Sequence, residues 1–439
     1  MRKAFLILAS SMLASSPLSA APDYAASIKA DYDKSLGALW DYFHRNPELS
    51  FKEVNTAARM AKELRAVPGM LVTEKVGGTG VVGVLKNGEG PVVLLRADMD
   101  GLPLQERSGL PNASKVRQVG IDGLEMPVMH ACGHDVHITS MIGTARQLAA
   151  LKDRWKGTVL FIVQPAEERV GGAMAMMKDG LYTRFPKPDY ALAFHVAANM
   201  PTGKIAAAEG IQYSSADSVD IKVFGVGTHG ASPNLGRDPI YIASEIVVGL
   251  QSIISREKGP LEPGVITVGA FHGGTKHNII PEQANLQVTV RANSRESRNM
   301  FIDAIRRVAI NTARAHGVAE DKLPEVTVSE TTPVTINDGP LARRLNAVLA
   351  EKLGPDVVIP FQQTNMGAED FSYFVDPSYG VPGYYFAVGG SNPAWIEAAK
   401  NGGPPVAGHH SPLFKIDPEP SVRLGTEAMV TATLDLLKR

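Results

Sequence analysis

The stretch TVLFIVQPAEER, residues 158–169, is the part of the sequence from which the expected fold follows. It opens with an unbroken run of apolar and β-branched residues up to Val163 and then turns polar at Glu167 and Glu168. A short apolar run of this kind, bounded by turn residues, is typical of a strand that is buried on both faces of a parallel sheet. We therefore expect the paired carboxylates to lie at the carboxyl end of a buried strand.

Two further apolar runs end in polar residues in the same way. Residues 92–95 lead into Asp98 and Asp100, and residues 190–194 lead into His195. In an open α/β sheet, ligands bind in the crevice beyond the carboxyl ends of the strands. The sequence thus predicts one cleft in which these carboxylates and His195 converge.

The single cysteine of the chain, Cys132, lies among histidines in MHACGHDVHITS, residues 129–140. The segment that follows predicts a helix, which puts Cys132 and His134 in the turn before its N-terminus. A thiolate is electrostatically favoured at such a position. Cys132 is thus either a buried, inert residue or a thiolate that is held by metal.

Other segments complete the expected sheet. Residues 50–67 predict a covering helix, with Ser50 and Glu53 in the spacing of a capping box. GYYFAVGG, residues 383–390, predicts a further strand, and GHHSP, residues 408–412, falls in the loop after it.

Length and charge exclude several functional classes. A chain of 439 residues is long enough for two domains, or for one large domain with an insertion. Lys and Arg number 44 against 45 Asp and Glu, a formal net charge of -1. Because there is no basic excess, nucleic acid and anionic membranes are not expected partners. A small molecule is the expected ligand.

Residues 1–21 have the pattern of a secretory signal peptide. Arg2 and Lys3 precede an apolar run over residues 4–13, and small residues extend to Ala21. The apolar run is too short to span a membrane. We expect a soluble, secreted protein, located in the periplasm if the source is Gram-negative.

The middle of the chain predicts a second, smaller domain. The order is strand, helix, strand, strand, helix and strand, over residues 219–224, 239–256, 265–271, 284–291, 297–316 and 325–328. This β-α-β-β-α-β unit alternates apolar and polar residues, as at Leu286, Val288 and Val290, which suits an antiparallel sheet covered on one side. We predict an α/β catalytic domain over residues 22–212 and 330–439, with a ferredoxin-like α+β lid domain inserted over residues 213–329.

Motifs along the chain resemble those of a known family. They are HRNPELSFKE (44–53), RADMDGLP (96–103), MHACGHDVH (129–137), QPAEERVGGA (164–173), GTHGASP (227–233), HNIIPE (277–282), GAEDFS (367–372) and HHSPLF (409–414). In this order they resemble the amidohydrolase branch of the aminoacylase and glutamate-carboxypeptidase metallopeptidases, which includes hippurate hydrolases and hydrolases of auxin–amino acid conjugates. The resemblance covers nearly all of the chain after residue 21. It implies a dinuclear catalytic domain with a mixed, mostly parallel sheet, and a lid that commonly mediates dimerisation.

The resemblance implies the residues of a metal centre. The matching ligand positions are Cys132, His134, Glu168, His195 and His410. Cys132 would bridge two ions, and Glu167 would be the general base. His409, the neighbour of His410, is the alternative ligand.

The resemblance also implies roles for lid residues. His229 would reach the active site, often from the partner subunit, and stabilise the tetrahedral oxyanion. Asn278 would help to hold the substrate. Arg291 ends a lid strand, so it either meets a substrate carboxylate or faces outward.

Further polar residues are interpreted as support for the ligands. His137 lies on the same helical face as His134 and is expected to hydrogen-bond a ligand rather than to bind metal. Asp98 and Asp100 are expected to act in the same way.

Together these observations predict hydrolysis of the amide bond of an N-acyl amino acid, giving a carboxylic acid and a free amino acid. The cofactors would be two divalent ions per subunit, zinc or manganese, with cobalt and nickel left open. A homodimer or higher homo-oligomer through the lid is expected. The alternatives are a dipeptidase or carboxypeptidase of the same fold, or a non-catalytic binding protein.

Overall fold

The computed structural model describes residues 23–439, so the predicted signal peptide lies outside the described residues. Two separate sheets organise this part of the chain, a large one of 8 strands and a small one of 4. Within residues 23–439, no helix is long and apolar enough to cross a membrane.

The large sheet is mixed, and its central strands run parallel. In spatial order its strands are Met70–Val76, Gly80–Asn87, Gly157–Gln164, Val92–Asp98, Tyr190–Pro201, Gly383–Ser391, Ile205–Ala207 and Val358–Pro360. The four central strands, from Gly157–Gln164 to Gly383–Ser391 in this order, each pair in parallel with the next. All residues of Gly157–Gln164 are buried, which explains the apolar run in its sequence. The three predicted apolar runs thus lie in neighbouring parallel strands, but the strand predicted to end before His195 continues to Pro201, because it pairs there with Gly383–Ser391.

Helices cover both faces of the large sheet. One face packs against a core that includes the helices Ala25–Asp31, Gly37–Arg45, Val54–Arg65, His134–Ala150, Gly339–Leu353 and Pro418–Leu436. The other face packs against Gly172–Lys178, Leu181–Arg184 and the turn Asp370–Tyr373. This arrangement confirms the expected α/β architecture.

The small sheet has its own core. Its antiparallel strands are, in spatial order, Gly264–Gly273, Gln283–Ala292, Ser215–Phe224 and Glu325–Thr332. The helices Pro239–Ser252 and Arg295–Ala315 pack on the face that carries the buried Leu286, Val288 and Val290. We call this sheet, its two helices and the segments that connect them the lid, and the large sheet with its helices the catalytic domain. The exact boundaries of the inserted domain stay a prediction, since the strand Glu325–Thr332 runs across residue 329.

Smaller elements connect these parts. Short strand pairs join Arg117–Val119 with Glu125–Pro127, Gly210–Tyr213 with Thr335–Asn337, and Thr228–His229 with Ile279–Ile280. The helix Pro393–Lys400, which the sequence interpretation did not include, follows the last strand of the large sheet.

The predicted capping box at Ser50 and Glu53 is wrong. The Ser50 hydroxyl donates instead to Asp100 Oδ2 at 2.6 Å. Glu53 precedes the helix, but its Oε1 accepts from the backbone N–H groups of Phe51 at 2.9 Å and Ala166 at 2.8 Å. Asp100 and Ala166, which are distant in the sequence, thus take the place of the local cap, so the two side chains tie the start of the helix to the edge of the sheet.

Candidate metal centre

The helix His134–Ala150 places Cys132 at the edge of the sheet. Gly133 precedes the helix with φ of 82°, and a Cβ there would lie 2.3 Å from Val196 Cγ1. Only glycine combines this backbone conformation with so close an approach to the strand. As a result, Cys132 Sγ lies 3.3 Å from His195 Nε2.

Two groups of potential ligands share Cys132. The first contains Cys132, His134 and His195, and the second contains Cys132, Glu168 and His410, with the ligand atoms of each group within 4.8 Å of one another. His410 Nε2 lies 3.2 Å from Glu168 Oε2. Together the two groups contain every residue that the resemblance implies as a ligand.

The donor atoms of these groups fit divalent cations. His134 Nε2 and Glu168 Oε1 are buried and have no hydrogen-bond partner among residues 23–439. Buried polar atoms without a partner are rare, because leaving them unsatisfied costs free energy. Burial, together with the charges of Glu168 and Glu167, raises the pKa of Cys132 well above its usual value. A cation would offset those charges, and thiolate sulfur, imidazole nitrogen and carboxylate oxygen together are ligands that zinc accepts.

Backbone carbonyls orient two of the histidines. His134 Nδ1 donates to the carbonyl oxygen of Asp100 at 2.9 Å, and His195 Nδ1 donates to that of Val196 at 2.8 Å. Each ring therefore points its Nε2 toward the Cys132 groups. Fixing the tautomer from the far side of the ring is typical of metal-binding histidines.

Asp100 fixes the turn that carries the paired glutamates. Its Oδ1 accepts from Glu167 N and its Oδ2 from Glu168 N, both at 3.1 Å. On either side of this pair, Ala166 and Val170 have φ of 48° and 45°, values that are costly for residues other than glycine. Asp100 therefore holds a strained turn in place and lies where the sequence interpretation expected a supporting residue.

Both ring nitrogens of His137 are engaged by protein groups. Nδ1 donates to Asp98 Oδ1 at 2.6 Å, and Nε2 accepts from Val196 N at 2.9 Å. Asp98 also pairs with Arg96 Nη1 at 2.7 Å. These contacts leave His137 no free lone pair for metal, so it supports the strand that carries His195.

A buried acidic cluster adjoins Glu167. Carboxylate oxygens of Glu167, Glu369 and Asp370 lie within 4.8 Å of one another. The buried Arg96 pairs with Glu369 at 2.6 Å and with Asp370 at 3.2 Å. Burial, followed by the charges of Glu369 and Glu168, raises the pKa of Glu167 well above its ordinary value. A raised pKa brings a carboxyl group closer to the range in which general bases are effective.

The sequence interpretation gave no role to Arg96, Glu369 or Asp370. The GAEDFS motif was the available signal, but it lies far along the chain from Arg96, and nothing in the spacing indicates that they meet.

His409, the alternative ligand, is also close to the centre. Its Nδ1 lies 3.7 Å from Cys132 Sγ, and its Nε2 accepts from Ala198 N at 3.2 Å.

The ligand groups around Cys132 do not include the lid residues that the resemblance implies. His229 is exposed, and its Nδ1 accepts from Ala231 N at 3.0 Å. Asn278 is beside it, because Gly230 N donates to the Asn278 carbonyl at 2.9 Å. Arg291 is half-buried in its strand, and burial lowers its pKa. The structure does not bring these side chains to the metal groups, so their roles stay predictions.

Comparison with protein families gives a match over most of the chain. The sequence model of the family described as peptidase family M20/M25/M40 matches residues 94–401. A hippurate hydrolase of Campylobacter jejuni is 40% identical over 337 residues, which are 76% of this chain and 83% of that protein.

Two other relatives have different activities in their names. A thermostable carboxypeptidase 2 of Saccharolobus solfataricus is 36% identical over 354 residues, covering 80% of this chain and 84% of that protein. An N-acetylcysteine deacetylase of Bacillus subtilis is 37% identical over 351 residues, covering 79% of this chain and 86% of that protein.

A solved structure resembles the whole arrangement. The Bacillus subtilis YXEP protein, described as a dinuclear metal binding peptidase from M20 family, aligns with a TM-score of 0.73 and 28% sequence identity. The alignment covers 94% of this chain and 99% of that one, so it includes both the catalytic domain and the lid.

Proposed function

This chain belongs to peptidase family M20/M25/M40, and from this premise we propose that it hydrolyses the amide bond of N-acyl amino acids to a carboxylic acid and a free amino acid. The observation that carries the proposal is the position of Glu167. Its buried carboxylate adjoins a complete set of sulfur, nitrogen and oxygen donors around Cys132. A protein that only binds its ligand has no need of an additional carboxylate with a raised pKa.

The proposed roles follow from this arrangement. Cys132, His134, Glu168, His195 and His410 would hold two divalent ions, with Cys132 in both sites. Such ions activate water and polarise the scissile carbonyl. Glu167 would take a proton from the attacking water and deliver it to the leaving nitrogen. Asp100 holds Glu167 and Glu168 in their separate orientations through the two backbone N–H groups.

The lid would complete the site. We propose that His229 stabilises the oxyanion of the tetrahedral intermediate, and that Asn278 and Arg291 contact the substrate. His229 is exposed in the single chain, so it is available to a neighbouring subunit. A homodimer through the lid is therefore part of the proposal.

The proposed site of action is outside the cytoplasm. The support is the sequence of residues 1–21, with its basic start and short apolar run. N-terminal sequencing of the protein from the periplasmic and cytoplasmic fractions of a Gram-negative host would test this, and protein found only in the cytoplasm with Met1 intact would contradict it.

A substrate screen tests the reaction. We expect the metal-loaded protein to cleave N-benzoyl, N-acetyl or indole-acetyl amino acids faster than unblocked dipeptides, with chelator-treated protein as the control. The carboxypeptidase relative makes peptide cleavage the second candidate. Higher kcat/KM on dipeptides than on every N-acyl amino acid would favour that candidate and overturn ours.

A Cys132 substitution tests whether the thiolate is shared. Because Cys132 belongs to both ligand groups, Cys132→Ala should lose both ions, whereas His410→Ala should lose one. Metal analysis of the purified variants measures this, and circular dichroism confirms that they remain folded. A Cys132→Ala protein that retains the metal content of the wild type would show that the cysteine is an inert core residue.

A further inference from the structure

A closed ring of hydrogen bonds lies where the lid joins the catalytic domain. Ser214 Oγ donates to Asn293 Oδ1 at 2.6 Å, Asn293 Nδ2 donates to Gln363 Oε1 at 2.8 Å, and Gln363 Nε2 donates back to Ser214 Oγ at 3.0 Å. Each side chain donates once and accepts once within the ring. We call these three residues the latch.

The latch residues come from different parts of the fold. Ser214 lies between the strand Gly210–Tyr213 and the first lid strand, at the point where the chain crosses into the lid. Asn293 directly follows the lid strand Gln283–Ala292. Gln363 lies in the catalytic domain, in the loop before the turn Asp370–Tyr373. The ring therefore ties the entrance to the lid and the end of one lid strand to one loop of the catalytic domain.

That loop is fixed to the lid at further points. The backbone N–H of Ser214 donates to the carbonyl of Gly367 at 2.8 Å. Where the chain returns from the lid, the hydroxyl groups of Thr332 and Ser372 are 3.0 Å apart and hydrogen-bonded. Both chain crossings are thus bound to the segment 363–373, which we call the bridging segment.

The bridging segment also carries acidic residues that adjoin Glu167. Glu369 lies within it, and its carboxylate belongs to the same close group as that of Glu167. The backbone of Glu369 is held by the Thr335 hydroxyl at 2.9 Å, and its side chain accepts from Tyr385 at 2.5 Å and from Arg96. The segment that is hydrogen-bonded to the lid is therefore the same segment whose acidic residues adjoin the proposed base.

We propose that Gln363 is a positioning residue, which through the latch sets the lid relative to Glu167 so that lid groups meet the reacting atoms. This rests on the proposed amide hydrolysis and on a catalytic role for the lid. Without the Gln363 amide, Ser214 and Asn293 lose their shared partner in the catalytic domain. The lid then samples a wider range of orientations, and the site reaches its productive geometry less often.

The direct test compares two adjacent glutamines. Gln363→Ala breaks the latch, whereas Gln362→Ala changes an exposed neighbour in the same loop. We expect Gln363→Ala to lower kcat roughly tenfold with a smaller change in KM, because the lid would act mainly on the transition state. Gln362→Ala should match the wild type. Asn293→Ala should reproduce the loss, and the double variant should be no worse, since either change opens the ring.

A second background distinguishes positioning from general damage. In His229→Ala protein the proposed oxyanion donor of the lid is already absent, so adding Gln363→Ala should lower kcat by a smaller factor than it does in the wild-type protein. If the kcat of the double variant fell by the product of the two single losses, the proposal would be overturned. A wild-type kcat for Gln363→Ala would overturn it as well.

Amide hydrogen exchange tests the latch even if the proposed reaction or the role of His229 is wrong. The Ser214 region should exchange faster in Gln363→Ala than in Gln362→Ala, with the helix His134–Ala150 unchanged. Equal exchange in both variants would show that the latch does not hold the lid.

Discussion

Glu167→Gln is expected to retain both metal ions and substrate affinity while losing most turnover. Glutamine keeps the size and shape of the side chain but cannot accept the proton of the attacking water. General base catalysis typically contributes ~100- to 10,000-fold, so kcat should fall by that factor. Steady-state kinetics and metal analysis of the same preparation measure both properties.

The adjacent Glu168 provides the matched comparison. Glu168→Gln replaces a charged ligand, so it should lose metal from at least one site and regain part of its activity with excess ion. Asp100 holds the backbone N–H groups of both residues at 3.1 Å, so the turn has the same support in the two variants. If Glu167→Gln loses metal while Glu168→Gln keeps both ions, the base and the ligand have been exchanged.

His229→Ala is expected to lower kcat by roughly 100-fold or more, as loss of an oxyanion donor does, with a smaller change in KM. His229 lies on the exposed surface of the lid, so its removal should not disturb folding. His272→Ala, at another exposed lid histidine, is the control. Unchanged kcat for His229→Ala would place this side chain outside the reaction.

Mixed oligomers show which subunit supplies His229. If the histidine acts across a dimer, His229→Ala and Glu167→Gln subunits together form one site with both groups intact. Mixing the two inactive variants should then restore part of the activity, whereas histidines that act within their own subunit give none.

The sequence predicted the strand ends well because burial on both faces leaves a clear pattern. The run before Glu167 corresponds to a strand whose residues are all buried. Asp98 ends the neighbouring parallel strand, Asp100 follows it, and His195 lies within the next parallel strand, Tyr190–Pro201. Since parallel strands share one carboxyl edge, identifying the strands was enough to bring these side chains together. The turn at Cys132 followed from the predicted helix that comes after it.

Other features depend on contacts that have no local pattern. Ser50 and Glu53 have the spacing of a helix cap, but Asp100 and Ala166 compete successfully for their side chains. Arg96 meets Glu369 only because the chain returns to the sheet after the lid. The latch likewise joins residues that become neighbours only when both domains are in place. Such pairings are set by tertiary structure, which periodicity and spacing do not encode.

The insertion of the lid has a consequence for the order in which the two domains fold. All lid strands lie in one continuous part of the chain, between Ser215 and Thr332, so the lid can fold without the residues that follow it. The catalytic sheet needs both outer parts of the chain, because the strand Tyr190–Pro201 pairs in parallel with Gly383–Ser391, which lies on the other side of the inserted lid. His410 comes later still in the chain. The ligand set around Cys132 is therefore completed only when the two parts of the catalytic domain have joined, and we expect metal loading to be a late step in the maturation of this protein.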